Sequence, residues 1–331
     1  MLWNTVSLLD TALWCFVLTA GTLLFCRAAV GTAGPRSTLV LCAAVSVALV
    51  TRPEAMAFAL LWIAGLWGTT WLSTGNMRAA TRRAVPPAIA YVVTLSALVT
   101  FRLVYFGFPL PNTYYAKVSP DIAYNIWMGA RYGGKVLLEY PILAVCGAIC
   151  LAGIYACVKM GLQRSQRRDV GNAPELAWRI VAVVVLAALV QPVLTGGDHF
   201  ELHRFYQPAW PLFIVPLLLW ANAWFSRGRE GGSGPWSVHW ILASAIVAVT
   251  LSSGQSWASL VDPEGIRVEF RLANAGLKRG LLLNEFFEGP TRPSIGEVSA
   301  GGVGRTYSGR VVDLLGLNNV AMGTRPAIGT A

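Results

Sequence analysis

Long apolar stretches alternate with short polar ones along most of this chain. Residues 11–26, 39–50, 55–72, 84–100, 142–158, 180–194, 212–225 and 236–251 hold almost no charge. A helix needs about 20 apolar residues to cross the ~30 Å hydrocarbon layer, and several stretches reach that with their aromatic and polar flanks. The pattern predicts an all-α polytopic membrane protein of about 7–8 transmembrane helices, the count turning on how 39–72 is divided. Beyond residue 252 the pattern changes. The segment 253–331 is more polar and punctuated by Gly and Pro. Residues 262–287 read as a helix with Pro263 in its first turn. Residues 294–300 and 310–315 read as short strands around a turn at 301–304. The expected organisation is a membrane region, 1–252, and a small extracytoplasmic α/β tail, 253–331.

Composition strengthens this reading. Charged residues make up 13% of the chain and hydrophobic residues 55%. Soluble domains carry roughly 25% charged residues, so a water-soluble fold of this length is excluded. The net charge of +10 raises the question of a nucleic acid partner, and its distribution answers no. Arg78, Arg82 and Arg83 fall in one short polar segment; Lys159, Arg164, Arg167 and Arg168 in a second; Arg227 and Arg229 in a third. These segments alternate along the chain, which is the positive-inside pattern. With them in the cytoplasm beside 27–36, the outer side receives 52–54, 107–140, 196–207 and the tail. No cation precedes Arg27, so the start lacks the basic region of a signal peptide. An outer Met1 without a targeting segment points to a missing upstream part. The six cysteines all fall in apolar segments, where they read as small core residues rather than disulfide partners or metal ligands.

Within the long outer segment, Ser119-Pro120-Asp121 carries a helix start: a capping hydroxyl, Pro at the first position and an acid in the first turn. Tyr124, Trp127 and Tyr132 follow, aromatics suited to the headgroup level. The expectation is a helix lying flat on the membrane surface.

Four clusters carry chemistry, all on or near the expected outer face. Thr51-Arg52-Pro53-Glu54 places two charges at a membrane boundary, where charge is costly unless paired or used; Arg52 and Glu54 are either an ion pair ending a helix or part of a binding site. Phe101-Arg102 runs on to Leu110-Pro111-Asn112-Thr113-Tyr114-Tyr115-Ala116-Lys117. Arg102 and Lys117, rimmed by Asn112 and Tyr114, suit an interfacial phosphate, against the alternative of an aromatic belt with snorkelling cations. Gly196-Gly197-Asp198-His199-Phe200-Glu201-Leu202-His203-Arg204-Phe205 packs many ionisable groups between two apolar stretches. His199 and His203 have metal-pair spacing if the segment is helical, so a divalent metal is left open; a carboxylate and a cation for acid–base and phosphate work fit better. The fourth cluster surrounds Asp313 in the tail, which is either a turn-capping acid or an acceptor contact. No nucleotide-phosphate loop is present. An outer-face enzyme then needs a donor already on that side, and a lipid-linked sugar is one.

Taken in order, these residues resemble one family of polytopic glycosyltransferases with the GT-C fold, best known for the terminal β-arabinofuranosyltransferases of actinobacterial cell walls and including proteins labelled flagellar motor control proteins. The family pattern reads approximately Thr-Arg-Pro-Glu, then Phe-Arg-x-x-Tyr-Tyr-Gly-x-x-Leu-Pro-Asn-Thr-x-Tyr-Ala-Lys, then Gly-Gly-Asp-Phe-Met with an Arg-Phe shortly after, and Asp-x-x-Gly-Leu in the tail. The likeness spans nearly the whole chain, and the run Leu110–Lys117 is its most specific part. Ser7-Leu8-Leu9-Asp10-Thr11 resembles a worn form of the family's Ser-Gly-Leu-Glu-Thr. His199-Phe200 departs from Phe-Met. The acidic pair that GT-C enzymes carry in their first outer loop is not in this chain, which lacks the N-terminal part of the family.

The resemblance implies transfer of a sugar, arabinofuranose for example, from a polyprenyl-phosphate donor to a cell-envelope glycan at the outer face of a bacterial inner membrane. In that reading Arg102, Lys117 and Arg204 hold the leaving phosphate. Asp198 orients a sugar hydroxyl or serves as base. Arg52, Glu54, Asn112, Tyr114, His199, His203 and Asp313 contact substrate. A non-catalytic polytopic protein working with partners in envelope or motility function is the alternative. A transporter would instead place its ionisable groups near mid-helix.

Overall fold

The computed structural model describes residues 11–31, 34–111, 114–115, 118–164, 173–197, 203–227, 264–289, 291–298, 300–315 and 322. The described residues are mostly helical. Helices α1 (Thr11–Val30), α2 (Pro35–Thr51), α3 (Ala55–Thr74) and α4 (Met77–Phe106) follow one another through short breaks. Then come α5 (Ile122–Glu139), α6 (Pro141–Arg164), α7 (Ala173–Leu194), a single 3₁₀ turn at Gln207–Ala209 and α8 (Trp210–Arg227). The C-terminal segment holds α9 (Glu264–Phe286), β1 (Ile295–Glu297), α10 (Ala300–Thr306) and β2 (Val311–Asp313).

Among the described residues four helices are long and apolar enough to cross a membrane: Thr11–Val30, Ala55–Thr74, Met77–Phe106 and Ala177–Leu194 within α7. The helix pair α5–α6 adds a fifth candidate if counted as one broken span, bent by 105°. The helices Pro35–Thr51 and Gln207–Leu218 are apolar but shorter. The expected span at 236–251 lies outside the described residues. Val92 and Val93 on α4 are about 60% exposed and Phe16 on α1 is 70% exposed. Open apolar surface of this extent suggests a membrane protein.

The chain divides into two compact units: Met1–Leu98 with Trp127–Gly254, and Val99–Ile126 with Gln255–Ala331. In the first, α1 is the hub, packing on α2, α3 and α7. Its core holds Phe25 stacked on Trp62 at 5.6 Å, and the Trp62 indole donates to Thr22 Oγ1 at 3.1 Å. Gly21 lies under that indole, where a methyl group would overlap the ring. Arg83 donates to the carbonyls of Ala28 and Gly31 at the C-terminal end of α1, satisfying acceptors that the helix leaves open. Arg78, Arg82 and Arg83 belong to the first turns of α4 rather than to a loop. The Asn76 side chain accepts the Ala79 N–H at 3.2 Å and starts the helix ahead of them.

In the second unit α9 packs on α10, and β1 pairs with β2 in parallel, Ile295 opposite Val311 and Glu297 opposite Asp313. The expected strands are present, but Gly301–Gly304 is helical, not a turn. Parallel strands cannot be joined by a tight turn; the chain must cross over, and α10 is that crossover.

Candidate functional site

Thr51-Arg52-Pro53-Glu54 joins α2 to α3. Thr51 Oγ1 donates back to the Val47 carbonyl at 2.7 Å. Arg52 is extended, with φ −151° and ψ 150°, because Pro53 disfavours helical geometry in the residue before it. The turn folds Glu54 back under the Arg52 guanidinium. Nε and Nη2 of Arg52 donate to the two carboxylate oxygens of Glu54 at 3.2 and 2.9 Å. Both side chains are largely buried, 11% and 15% exposed. The ion-pair reading of this motif is therefore present in the geometry, as a forked two-point contact.

The Arg52 guanidinium carbon also lies 5.9 Å from the centre of the Phe205 ring, and that of Arg204 lies 5.7 Å from the same ring. Two cations against one aromatic ring concentrate positive charge that its π cloud offsets. The first and third sequence clusters, some 150 residues apart, thus meet on Phe205.

His203 points elsewhere. It adopts a left-handed backbone, φ 49°, a conformation in which His is enriched among non-glycine residues. Its Nε2 is hydrogen-bonded to Glu139 Oε2, and the pair is 10% and 19% exposed. The other Glu139 oxygen is 3.7 Å from Lys135 Nζ, one turn back on α5. Rings close around the imidazole: Tyr132 edge-on at 5.7 Å and Tyr140 at 5.8 Å. Tyr132 stacks on Tyr206 at 5.8 Å, and Tyr140 meets Trp210 at 5.4 Å. Tyr206 donates to the Leu189 carbonyl of α7; burial pushes its phenol up to about 12, so it stays a neutral wall. Among the described residues His203 Nδ1 is buried without a hydrogen-bond partner.

Helix α5 carries Glu139 to this place. Asp121 Oδ1 accepts the N–H groups of Ala123 and Tyr124 and caps its start. Asn125, Gly129, Gly133, Val136 and Tyr140 form its buried stripe, at helical spacing. Gly129 lies against the Val193 backbone of α7, where a Cβ would overlap main-chain atoms. Gly129 and Gly133 together make the small-residue contact that lets helices approach closely. Pro141 begins α6, so Glu139, the last residue of α5, and Tyr140 after it sit at the 105° bend.

The other expected site residues are distributed differently. Arg102 and Tyr114 belong to the second unit; Arg102 is half-buried and Tyr114 is exposed. Asp313 ends β2, is 6% exposed, and its Oδ1 accepts the Leu315 N–H at 3.0 Å, the local capping role. Asn112, Lys117, Asp198 and His199 lie outside the described residues. Among the described residues no three His, Cys, Asp or Glu side chains converge as a metal cluster would. Sequence reasoning missed Glu139. Its signal was available: it is the lone acid in the 122–140 run, one turn after Lys135 and seven residues after Tyr132.

Compared with protein-family models, with curated proteins and with solved structures, the chain finds no match in any of the three.

Proposed function

We propose that the chain is a membrane glycosyltransferase, or the C-terminal portion of one, that moves a sugar from a polyprenyl-phosphate carrier to a cell-envelope glycan. One observation carries the reading. Three segments distant in sequence bring Arg52 and Glu54, His203 and Arg204, and Glu139 to the ends of apolar helices. Guanidinium groups, a carboxylate and an imidazole at a membrane boundary are the groups that transfer from a lipid phosphate needs. The motif likeness supplies the substrate class. The alternation of basic segments along the sequence supports the sidedness, with this cluster and the C-terminal tail facing out.

In the proposed reaction an acceptor hydroxyl attacks the anomeric carbon while the bond to the phosphate oxygen breaks. Negative charge grows on the leaving polyprenyl phosphate; Arg204 neutralises it, and the motif likeness gives Arg102 and Lys117 the same role. Arg52, held rigid by Glu54, buttresses Phe205 and through it the Arg204 guanidinium. Asp198 and His199 orient sugar hydroxyls, and Asn112, Tyr114 and the tail around Asp313 shape the acceptor groove.

The test is transfer of labelled arabinofuranose from a polyprenyl-phosphoryl donor by the full chain in lipid nanodiscs. Lys117→Ala and Arg204→Ala are each expected to cut kcat/KM by about 10²-fold, the usual scale for losing one donor to a developing oxyanion. Unchanged transfer in both variants refutes the site. Donor binding without transfer in the unaltered chain identifies the non-catalytic alternative.

A further inference from the structure

The proposed reaction needs an acceptor for the proton of the attacking hydroxyl, and the Glu139–His203 pair has the geometry for it. We infer that His203 is the general base and that Glu139 is the residue that positions it. The inference rests on the transferase reading of the same site and extends it to two residues on different elements.

A carboxylate oxygen only accepts hydrogen bonds. The contact between Glu139 Oε2 and His203 Nε2 therefore places the ring proton on Nε2. A neutral imidazole with its proton on Nε2 has a bare lone pair on Nδ1. That is the ring atom with no hydrogen-bond partner among the described residues. A clamp that served only to pin the 203–206 turn to α5 would have no use for an orphaned acceptor, and buried acceptors are rarely left so. The residue is 8% exposed, held edge-on by Tyr132 and Tyr140 and fixed by its left-handed backbone. The groups facing the pair are Lys135, at 3.7 Å from Glu139 Oε1, and the phenol-bearing rings of Tyr132 and Tyr140. Aromatic walls beside a polar acceptor also suit a sugar, which presents apolar C–H faces between its hydroxyls.

The step balances. The acceptor oxygen forms its bond to the anomeric carbon. The carbon–oxygen bond to the phosphate breaks and the polyprenyl phosphate leaves with the electron pair. The hydroxyl proton passes to His203 Nδ1. The resulting imidazolium is stabilised by Glu139, which keeps its Nε2–H bond throughout, and the proton is then lost to water. This is the arrangement in which a carboxylate orients and supports a histidine base without being protonated itself.

Two measurements on the full chain in nanodiscs decide it. The first is ¹⁵N NMR of histidine-labelled protein, with the His203 signals assigned by their loss in His203→Gln. The wild type is expected to show His203 as the Nε2–H tautomer, and Glu139→Gln to abolish that fixed tautomer; a proton on Nδ1 in the wild type overturns the proposal. The second is steady-state transfer from polyprenyl-phosphoryl [¹⁴C]arabinofuranose to an arabinan oligosaccharide. Both variants are expected to lose at least about 10²-fold in kcat, the scale of general-base catalysis, with KM for the donor held within about threefold. Glu139→Asp, which keeps the carboxylate, is expected to recover part of kcat. Unchanged kcat in His203→Gln overturns the role of the pair while leaving the transferase reading standing, and assigns the proton to another group such as Asp198. No transfer by the wild type overturns the proposed function, and this role with it.

Discussion

The two compact units are held by different kinds of contact. In the first, bulky apolar side chains interlock: Phe25 on Trp62, and Trp14 edge-on to Phe58 at 5.7 Å. Its outward faces are also apolar. In the C-terminal part of the second unit, two helices meet through glycine. Gly276 and Gly302 are so close that a Cβ on either would touch the other's main chain, and Gly280 fits under Thr306. Polar ties then fix the connections. Thr306 Oγ1 donates to the Leu277 carbonyl at 2.9 Å, and Tyr307 donates to the Pro293 carbonyl at 2.7 Å. Asn284 donates to the Thr306 carbonyl at 2.7 Å and accepts the Ser308 N–H at 2.8 Å.

The difference fits an apolar surrounding for the helices of the first unit. In an apolar solvent, burying one more leucine gains little, so shape and dispersion decide which helices associate. Short irregular connections instead leave backbone donors and acceptors that must find partners. The tail meets that demand with side chains, and the helix bundle meets it within its helices.

That contrast can be broken from either side. Gly302→Val should do the most damage, driving α9 and α10 apart at a cost of about 3 kcal/mol. Limited proteolysis should then cut the tail while the first unit's helices stay protected. Trp62→Ala should cost about 2 kcal/mol, because the cavity remains but the transfer gain is reduced in an apolar solvent. Thermal unfolding in detergent micelles should show it, with no new cleavage in the tail. Arg279→Ala removes the two contacts to Glu297 at 2.9 Å. The Arg279 side chain is 57% exposed, so the loss should stay below about 1 kcal/mol. A fall in tail stability as large as that of Gly302→Val would mean that the ion pair, not the glycine contact, holds the unit.

What the sequence disclosed depended on how local the signal was. Apolar runs are local, so α1, α3 and α7 stand close to where the hydrophobic pattern put them. The helix start after the long outer segment is local too, but the cap is Asp121 rather than Ser119, so α5 begins at Ile122 instead of with Pro120 in its first turn. Boundaries shifted where an Asn76 cap pulled a basic segment into α4, and where strand direction forced a helix through the glycine-rich 301–304. Strand direction is a long-range property that turn residues alone do not encode. In the site, Arg52 and Glu54 are two residues apart, and their pairing was legible as one of two readings. The meeting of Arg52 with Phe205, and of His203 with Glu139, depends on how α5, α7 and the 203–209 turn pack. Sequence spacing carries no record of such a meeting beyond the glycine stripe that permits it.

The proposed transfer depends most on which side of the membrane carries Glu139, His203 and Arg204. A single-cysteine chain with Lys135→Cys places its probe beside Glu139, at a side chain that is 70% exposed. In intact cells a membrane-impermeant maleimide should label Cys at 135 fully, and a matching probe at Arg78 only after permeabilisation. Labelling at 78 with protection at 135 would put the cluster in the cytoplasm, away from any lipid-linked donor on the outer face, and would contradict the account at its base.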